Sequence, residues 1–237
     1  MIDSNDPSPF PIYILVRSFE RPECLQRTLR SILLADVDLC AARYVYDDGS
    51  TSDETLRVLS DEGLINRSGK EFEVVRGENC GCRRSFVMAL EHLKGVVESN
   101  AFIITVDNDV VVKPNFVSAL VSAHSEAVAE YGTHRVLLTG FNPTNAHRNS
   151  IGPVGQNAAY YRKRTCGGIN YAFHRTMIDF IAEQWKRDND WGVCKQMYNL
   201  NIPLLCLKRS VVNHIGVRGL HSRDARYDVD DRFDDVS

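Results

Sequence analysis

Phe102-Ile103-Ile104-Thr105-Val106-Asp107-Asn108-Asp109 is the stretch that decides how the rest of the chain is read. Five β-forming residues in a row end abruptly in two carboxylates one residue apart. A short apolar run without alternation is the pattern of a strand buried on both faces, with its C-terminal tip at a polar crevice. Two carboxylates there are costly unless something positive neutralises them. A hard divalent cation, Mn²⁺ or Mg²⁺, takes carboxylate oxygens and completes its shell with phosphate oxygens and water.

Outward from that run the pattern repeats. Residues 11–16 form another short apolar run, and Pro22 then suits the first turn of a helix with Leu25, Leu29, Ile32 and Leu33 on one face. Residues 44–46 predict a second strand, ending at Asp47-Asp48-Gly49-Ser50. Ser50 or Thr51 is placed to cap the next helix, whose Leu56 and Leu59 face inward. Residues 71–75 predict a third strand, 84–98 an amphipathic helix, and 135–139 a strand that follows a helix opened by Pro114. Strands alternating with helices argue for a mostly parallel sheet covered on both faces, in a single α/β domain. In such sheets ligands lie beyond the carboxyl ends of the strands, so Asp47, Asp48, Asp107 and Asp109 can meet in one crevice.

Residues 141–165 change character, with Asn, Pro, Gly, His and paired tyrosines replacing periodic apolar residues; the stretch reads as a long functional loop. Strand patterns return at 169–173, 203–207 and 211–215, and helical ones around 177–185 and 191–200. The end, 223–237, holds six Asp and three Arg with few apolar residues and reads as a flexible acidic tail.

The 237 residues carry a formal net charge of −3, which gives no support for a nucleic-acid partner. No apolar stretch approaches the ~18 residues that span a bilayer. The first residues lack the basic start and apolar middle of a secretory signal, so the chain reads as cytoplasmic. Seven scattered cysteines form no disulfide framework and no zinc spacing, and read as reduced thiols.

Five pieces, in order, resemble the GT-A (Rossmann-like) fold of family 2-like nucleotide-sugar glycosyltransferases: residues 12–33, Asp47-Asp48-Gly49-Ser50-Thr51, Asn79-Cys80-Gly81, Asp107-Asn108-Asp109, and Asn189-Asp190-Trp191-Gly192-Val193-Cys194. The resemblance covers residues 11–222. It implies a nucleotide-sugar-binding half at 11–140 and an acceptor-binding half at 141–222, after a lead at 1–10. It also implies a metal-dependent transferase moving a sugar from a nucleoside-diphosphate donor, UDP- or GDP-linked, to a saccharide, lipid-linked or protein acceptor.

The roles that follow are those the resemblance implies. Asp48, with Asp47 beside it, holds the base or ribose; a plainer reading makes the pair a helix cap. Asp107 and Asn108 face the donor, and Asp109 is the closer metal ligand. His214, in Val211-Val212-Asn213-His214-Ile215-Gly216, reaches the same metal, or else is a hydrogen-bonded core residue. His221 and Ser222, with Arg218, form a second candidate group. Asp190 is the base that deprotonates the acceptor hydroxyl in an inverting displacement, or caps the helix at Trp191; Asn189 stands where the family commonly has Glu. Gly168, in Cys166-Gly167-Gly168-Ile169-Asn170, lets backbone approach the donor. Arg17 and Arg84 meet the donor, and Trp191 and Asn170 the acceptor. Two other readings remain: a nucleotidyltransferase, although residues 17–21 lack the glycine-rich phosphate loop expected there, and a binding module of the same fold without activity.

Overall fold

The computed structural model describes residues 10–65, 71–143, 150–153, 159–216, 229–230 and 232–233. The N-terminal part alternates as expected: β1 (Ile12–Ser18), α1 (Pro22–Leu33), β2 (Ala42–Asp47), α2 (Asp53–Ser60), a single turn α3 (Glu62–Ile65), β3 (Glu73–Arg76), α4 (Cys82–Val96) and β4 (Phe102–Asp107). A short β5 (Val110–Val112) and α5 (Phe116–Tyr131) follow, then β6 (Leu137–Thr139), β7 (Ser150–Pro153), β8 (Tyr160–Lys163), β9 (Asn170–His174), α6 (Ile178–Asn199), β10 (Leu204–Leu207) and β11 (Val212–His214).

Nine strands form one sheet in the order β3-β2-β1-β4-β9-β6-β10-β8-β7. Only β9 and β8 run against the others, so the mostly parallel sheet is the observed one. Its apolar runs are buried on both faces. Ile14, Val16, Ile104 and Val106 pack with α1 and α5 on one side; Leu15, Ile103, Tyr171 and Phe173 pack with α4 and α6 on the other. Leu25, Leu29, Ile32 and Leu33 form the buried stripe of α1.

Several details differ from the sequence reading. The α2 cap is Ser52, whose hydroxyl accepts from the Thr55 N–H at 3.3 Å; Ser50 is instead occupied by Asp47. The inward face of α2 is Thr55, Val58 and Leu59, with Leu56 half-buried. The stretch expected as one loop at 141–165 contains β7 and β8, which extend the sheet edge; residues 144–149 and 154–158 lie outside the described residues. Within the stretch expected as an acidic tail, four residues are described. Asp230 is buried and its N–H donates to Asn213 Oδ1 at 2.9 Å, while Arg232 donates to the Asn142 carbonyl at 3.1 Å. All seven cysteines are free thiols. No helix among the described residues is long and apolar enough to cross a membrane.

At the sheet end remote from the acids lies a cavity of about 450 Å³ beside His124, His134 and His174. The three rings stack in sequence, with centroids 5.7 and 4.6 Å apart. His124 is fully buried between Phe10 and Phe102, and neither ring nitrogen has a hydrogen-bond partner. Burial, with the neighbouring His134 and His174, lowers its pKa to about 3. In the unfolded chain the same ring protonates near its ordinary 6.5. As pH falls below that value the unfolded state takes up a proton that the fold refuses. Each such histidine then costs about 1.4 kcal/mol of stability per pH unit until the folded pKa is reached. Urea melts at pH 7.5, 6.5 and 5.5 should show stability falling over the last step in the wild type, and falling distinctly less in His124→Phe.

Candidate active site

Strand register builds the site. Parallel pairing of β1 with β4 sets Arg17 opposite Asp107, and pairing of β1 with β2 sets Ser18 opposite Asp47. Antiparallel β9 begins at the end of β4: the Asp107 N–H donates to the Ile169 carbonyl at 2.9 Å, which brings Gly168 beside Asp107. In the small second sheet, β11 pairs with β5 so that His214 lies opposite Val110, and the Ile215 N–H donates to the Asp109 carbonyl at 2.8 Å. Thr28 of α1 locks β5 in place, donating its hydroxyl to the Val110 carbonyl at 2.7 Å and accepting the Val110 N–H at 3.1 Å.

The Arg17 guanidinium forms an ion pair with Asp107 and donates to the Gly168 carbonyl at 2.6 Å. Phe86 and Trp185 lie against it, with ring centroids 4.2 and 5.1 Å from its central carbon. Arg17 thus makes these contacts within the protein. Burial pushes the Asp107 carboxyl up to about 6, against the pull of Arg17. Its side chain keeps 29% of its surface open to the crevice.

Asp109 is nearly closed off. One oxygen, Oδ2, accepts from Arg21 and lies 3.1 Å from His214 Nε2. The other, Oδ1, is buried without a hydrogen-bond partner. Burial would raise this carboxyl, but the hydrogen bond and charge of His214 and the Arg21 guanidinium outweigh it and hold the group below its ordinary value. Gly216 closes the cluster: a Cβ there would collide with Asp109 Oδ2 and approach Arg21 and His214 to 2.8 Å.

Among the described residues no three His, Cys, Asp or Glu side chains gather to hold a metal by themselves. Asp109 and His214 offer an unpartnered buried oxygen, an imidazole nitrogen and a cradle that a single methyl would fill. Two protein ligands, with phosphate and water completing the shell, is the usual way Mg²⁺ binds at phosphate-processing sites, and these residues fit it.

Asp190 belongs to the same crevice. Helix α6 breaks at Asp188 and Asn189, where Asn189 takes a left-handed φ of 49°; the two expected helical patterns are its two halves. The break turns Asp190 toward β9. Its Oδ2 accepts the Gly168 N–H at 3.2 Å and its Oδ1 the Trp191 N–H at 3.0 Å. A Cβ on Gly168 would approach Asp190 Cβ to 3.3 Å and the Trp185 ring to 2.5 Å. Trp191 is 57% exposed beside the break. The Cys82 thiol, at the start of α4, registers the convergence. It is raised by its crowded surroundings, with Arg17 opposing and Asp107, Asp48 and Asp190 adding to the rise.

Three of the expected ligand residues make side-chain hydrogen bonds within the protein itself. Asp47 has no exposed surface and accepts the Ser50 N–H at 2.9 Å and hydroxyl at 2.6 Å, which fixes the turn after β2. Asn108 donates to the Glu20 carbonyl at 3.0 Å and holds the β1–α1 turn. Asn170 is fully buried and bridges strands, donating to the Thr105 carbonyl at 3.0 Å and accepting the Gly140 N–H at 2.6 Å. Asp48 accepts the N–H groups of Cys80 and Gly81, each at 3.0 Å, and so draws the Asn79-Cys80-Gly81 loop against β2. Arg84 is exposed on the first turn of α4. Arg218, His221 and Ser222 lie outside the described residues. Arg21 was not singled out from sequence; a charged residue before Pro22 carries no local signal of its aim.

The family model described as glycosyl transferase family 2 matches residues 13–183. The chain belongs to that family. No curated protein sequence matches it. Among solved structures, GalNAc-T7 with UDP, GalNAc and Mn²⁺ superimposes with a TM-score of 0.68 at 16% identity, covering 92% of this chain and 45% of that one. The mannosyltransferase PcManGT from Pyrobaculum calidifontis, in complex with GDP-Man and Mn²⁺, gives 0.57 at 15% identity, covering 87% of this chain and 57% of that one. This family 2 chain thus spans about half the length of both, and at such identities the likeness is one of GT-A fold.

Gly216→Ala tests the cradle. The methyl should displace Asp109 or His214 and weaken Mn²⁺ binding by about tenfold or more, the equivalent of ~1.4 kcal/mol. Titration of the metal followed by electron paramagnetic resonance reads the loss. Circular dichroism should report an unchanged fold.

Proposed function

We propose that this chain transfers a sugar from a nucleoside-diphosphate donor to an acceptor hydroxyl, with inversion, in a crevice that holds Mn²⁺ or Mg²⁺ on Asp109 and His214. The observation that carries the reading is a pair of neighbouring clusters, Asp107 joined to Asp190 through Arg17 and Gly168, and Asp109 beside His214, with Asp107 feeling the charges of Asp109 and His214. Donors of the UDP or GDP type are favoured by the two solved relatives, which hold UDP with GalNAc and GDP-Man respectively, each with Mn²⁺. The acceptor class, saccharide, lipid-linked or protein, is left to the surface around Trp191.

A metal bound there would offset the charge that builds on the departing diphosphate. Asp48 keeps lone pairs beyond those used by Cys80 and Gly81, and those suit a base N–H or ribose hydroxyls at the end of β2. Asp107 serves the sugar–ribose side of the donor, and Arg17 tempers its charge. Asp190 takes the acceptor proton as the hydroxyl attacks the anomeric carbon. Its two backbone hydrogen bonds fix the carboxylate in one orientation, and a base held still is worth more than a mobile one. One displacement, with base and leaving group on opposite faces of the sugar, inverts the anomeric centre. The exposed indole of Trp191 offers a flat apolar face beside that base, of the kind on which sugar rings rest.

Melting curves with UDP, GDP, CDP and dTDP, with and without Mn²⁺, identify the donor class, since a ligand that binds only the folded state raises the melting temperature. With the donor so chosen, Asp190→Asn should lower kcat by about 10²–10⁴, the range for losing a general base, and leave nucleotide binding in place. Turnover equal to wild type would remove Asp190 from the mechanism. Absence of any nucleotide-dependent shift or turnover would remove the transferase reading.

A further inference from the structure

We infer that Arg21 is a built-in counter-cation for Asp109 that changes partner on ligand binding, ceding the carboxylate to the divalent metal and taking a phosphate oxygen of the donor. The inference rests on the functional reading above.

The turn between β1 and α1 holds a backbone that its residue types disfavour. Glu20 and Arg21 are consecutive non-glycine residues with left-handed φ values of 47° and 60°. That backbone is disfavoured for residues with a Cβ and persists only where the surroundings over-determine it. Here they do. The Glu20 carboxylate accepts the Thr51 N–H at 2.7 Å, the Ser52 hydroxyl at 2.5 Å and the Thr55 hydroxyl at 3.0 Å. These bonds hold its pKa down to about 2. The Glu20 N–H donates to the Ser50 hydroxyl at 2.7 Å, and Asn108 reaches back to the Glu20 carbonyl. Three elements, including the residue between the two acids, therefore hold a turn whose visible result is the aim of Arg21.

That aim is at Asp109 Oδ2, the oxygen that His214 also faces. A divalent cation held by Asp109 and His214 would share this carboxylate with a guanidinium, and like charges so close repel. The two partners differ in freedom. The Arg21 side chain is 31% exposed and can leave, whereas that of Asp109 is 9% exposed and cannot. Guanidinium binds phosphate oxygens through its planar fork as well as it binds carboxylate. Without ligand, Arg21 joins His214 in balancing a buried acid. With metal and nucleotide, the same cation meets the negative charge that arrives.

The exchange predicts effects of opposite sign, which neither a structural role nor simple phosphate binding gives. Mn²⁺ alone, titrated by electron paramagnetic resonance, should bind Arg21→Gln about tenfold more tightly than wild type, because the competing cation is gone. UDP or GDP with saturating Mn²⁺, titrated calorimetrically, should bind the same variant about tenfold more weakly, the scale of one charged hydrogen bond. Arg21→Lys should move both affinities the same way by less, and supplies the result if the Gln variant does not fold. Mn²⁺ affinity unchanged or reduced in both variants overturns the exchange, as does unchanged nucleotide affinity. Failure of the wild type to bind either nucleotide, with or without Mn²⁺, overturns the functional reading itself.

Discussion

The structure depends on keeping carboxylates charged where water is scarce. Asp107 and Asp109 end a strand that is buried on both faces, and a buried carboxylate without a counter-charge takes up a proton or unfolds its surroundings. The fold answers with two arginines and a histidine drawn from three places. Arg17 arrives through strand register, Arg21 through a strained turn, and His214 through a strand a hundred residues later. The outcome differs between the two acids. Asp107, with one arginine, is pushed up to about 6, while Asp109, with an arginine and a histidine, is held below its ordinary value. A carboxylate kept ionised in a closed cradle is the form a divalent cation requires.

The parts legible in the sequence are those encoded locally. Apolar runs without alternation marked β1, β2 and β4, and the i, i+4 spacing of Leu25, Leu29 and Leu33 marked α1. The acids at the strand tips followed, because a strand that stops at a charge places that charge at the sheet edge. What the sequence hid is set by partners distant in the chain. Val110-Val111-Val112 is too short to read as a strand, yet its pairing with β11 carries His214 to Asp109. The reversed direction of β9 leaves no mark on its five residues, although it alone puts Gly168 against Asp107. Glu20 and Arg21 have no Gly or Asn character, so their left-handed backbone has no local signal; it is imposed by Thr51, Ser52 and Asn108.

Polar residues near strand ends that the resemblance assigns to ligands also serve the backbone, and the reason is general. Asp47, Asn108 and Asn170 lie where a sheet meets its loops, and there the backbone groups released by the last ladder bonds need partners too. Ser50, Glu20, Thr105 and Gly140 supply those demands. A side chain that satisfies buried backbone has the same sequence signature as one that meets substrate. Only the structure shows which backbone groups it meets.

The Gly168 peptide shows why the crevice behaves as one unit. Its carbonyl accepts from Arg17, which holds Asp107, and its N–H donates to Asp190. Contact this direct requires that residue 168 have no side chain, since the space is filled by Trp185, which also stacks near Arg17. It requires the break in α6 as well. The break is possible because Gly192 lacks the Cβ that would strike the Gln184 carbonyl of the preceding half-helix. Loss of any one of these features would leave Asp107 and Asp190 each hydrogen-bonded but no longer joined. The spacing between the two carboxylates is therefore set by the two peptide groups that meet at Gly168 and by one guanidinium.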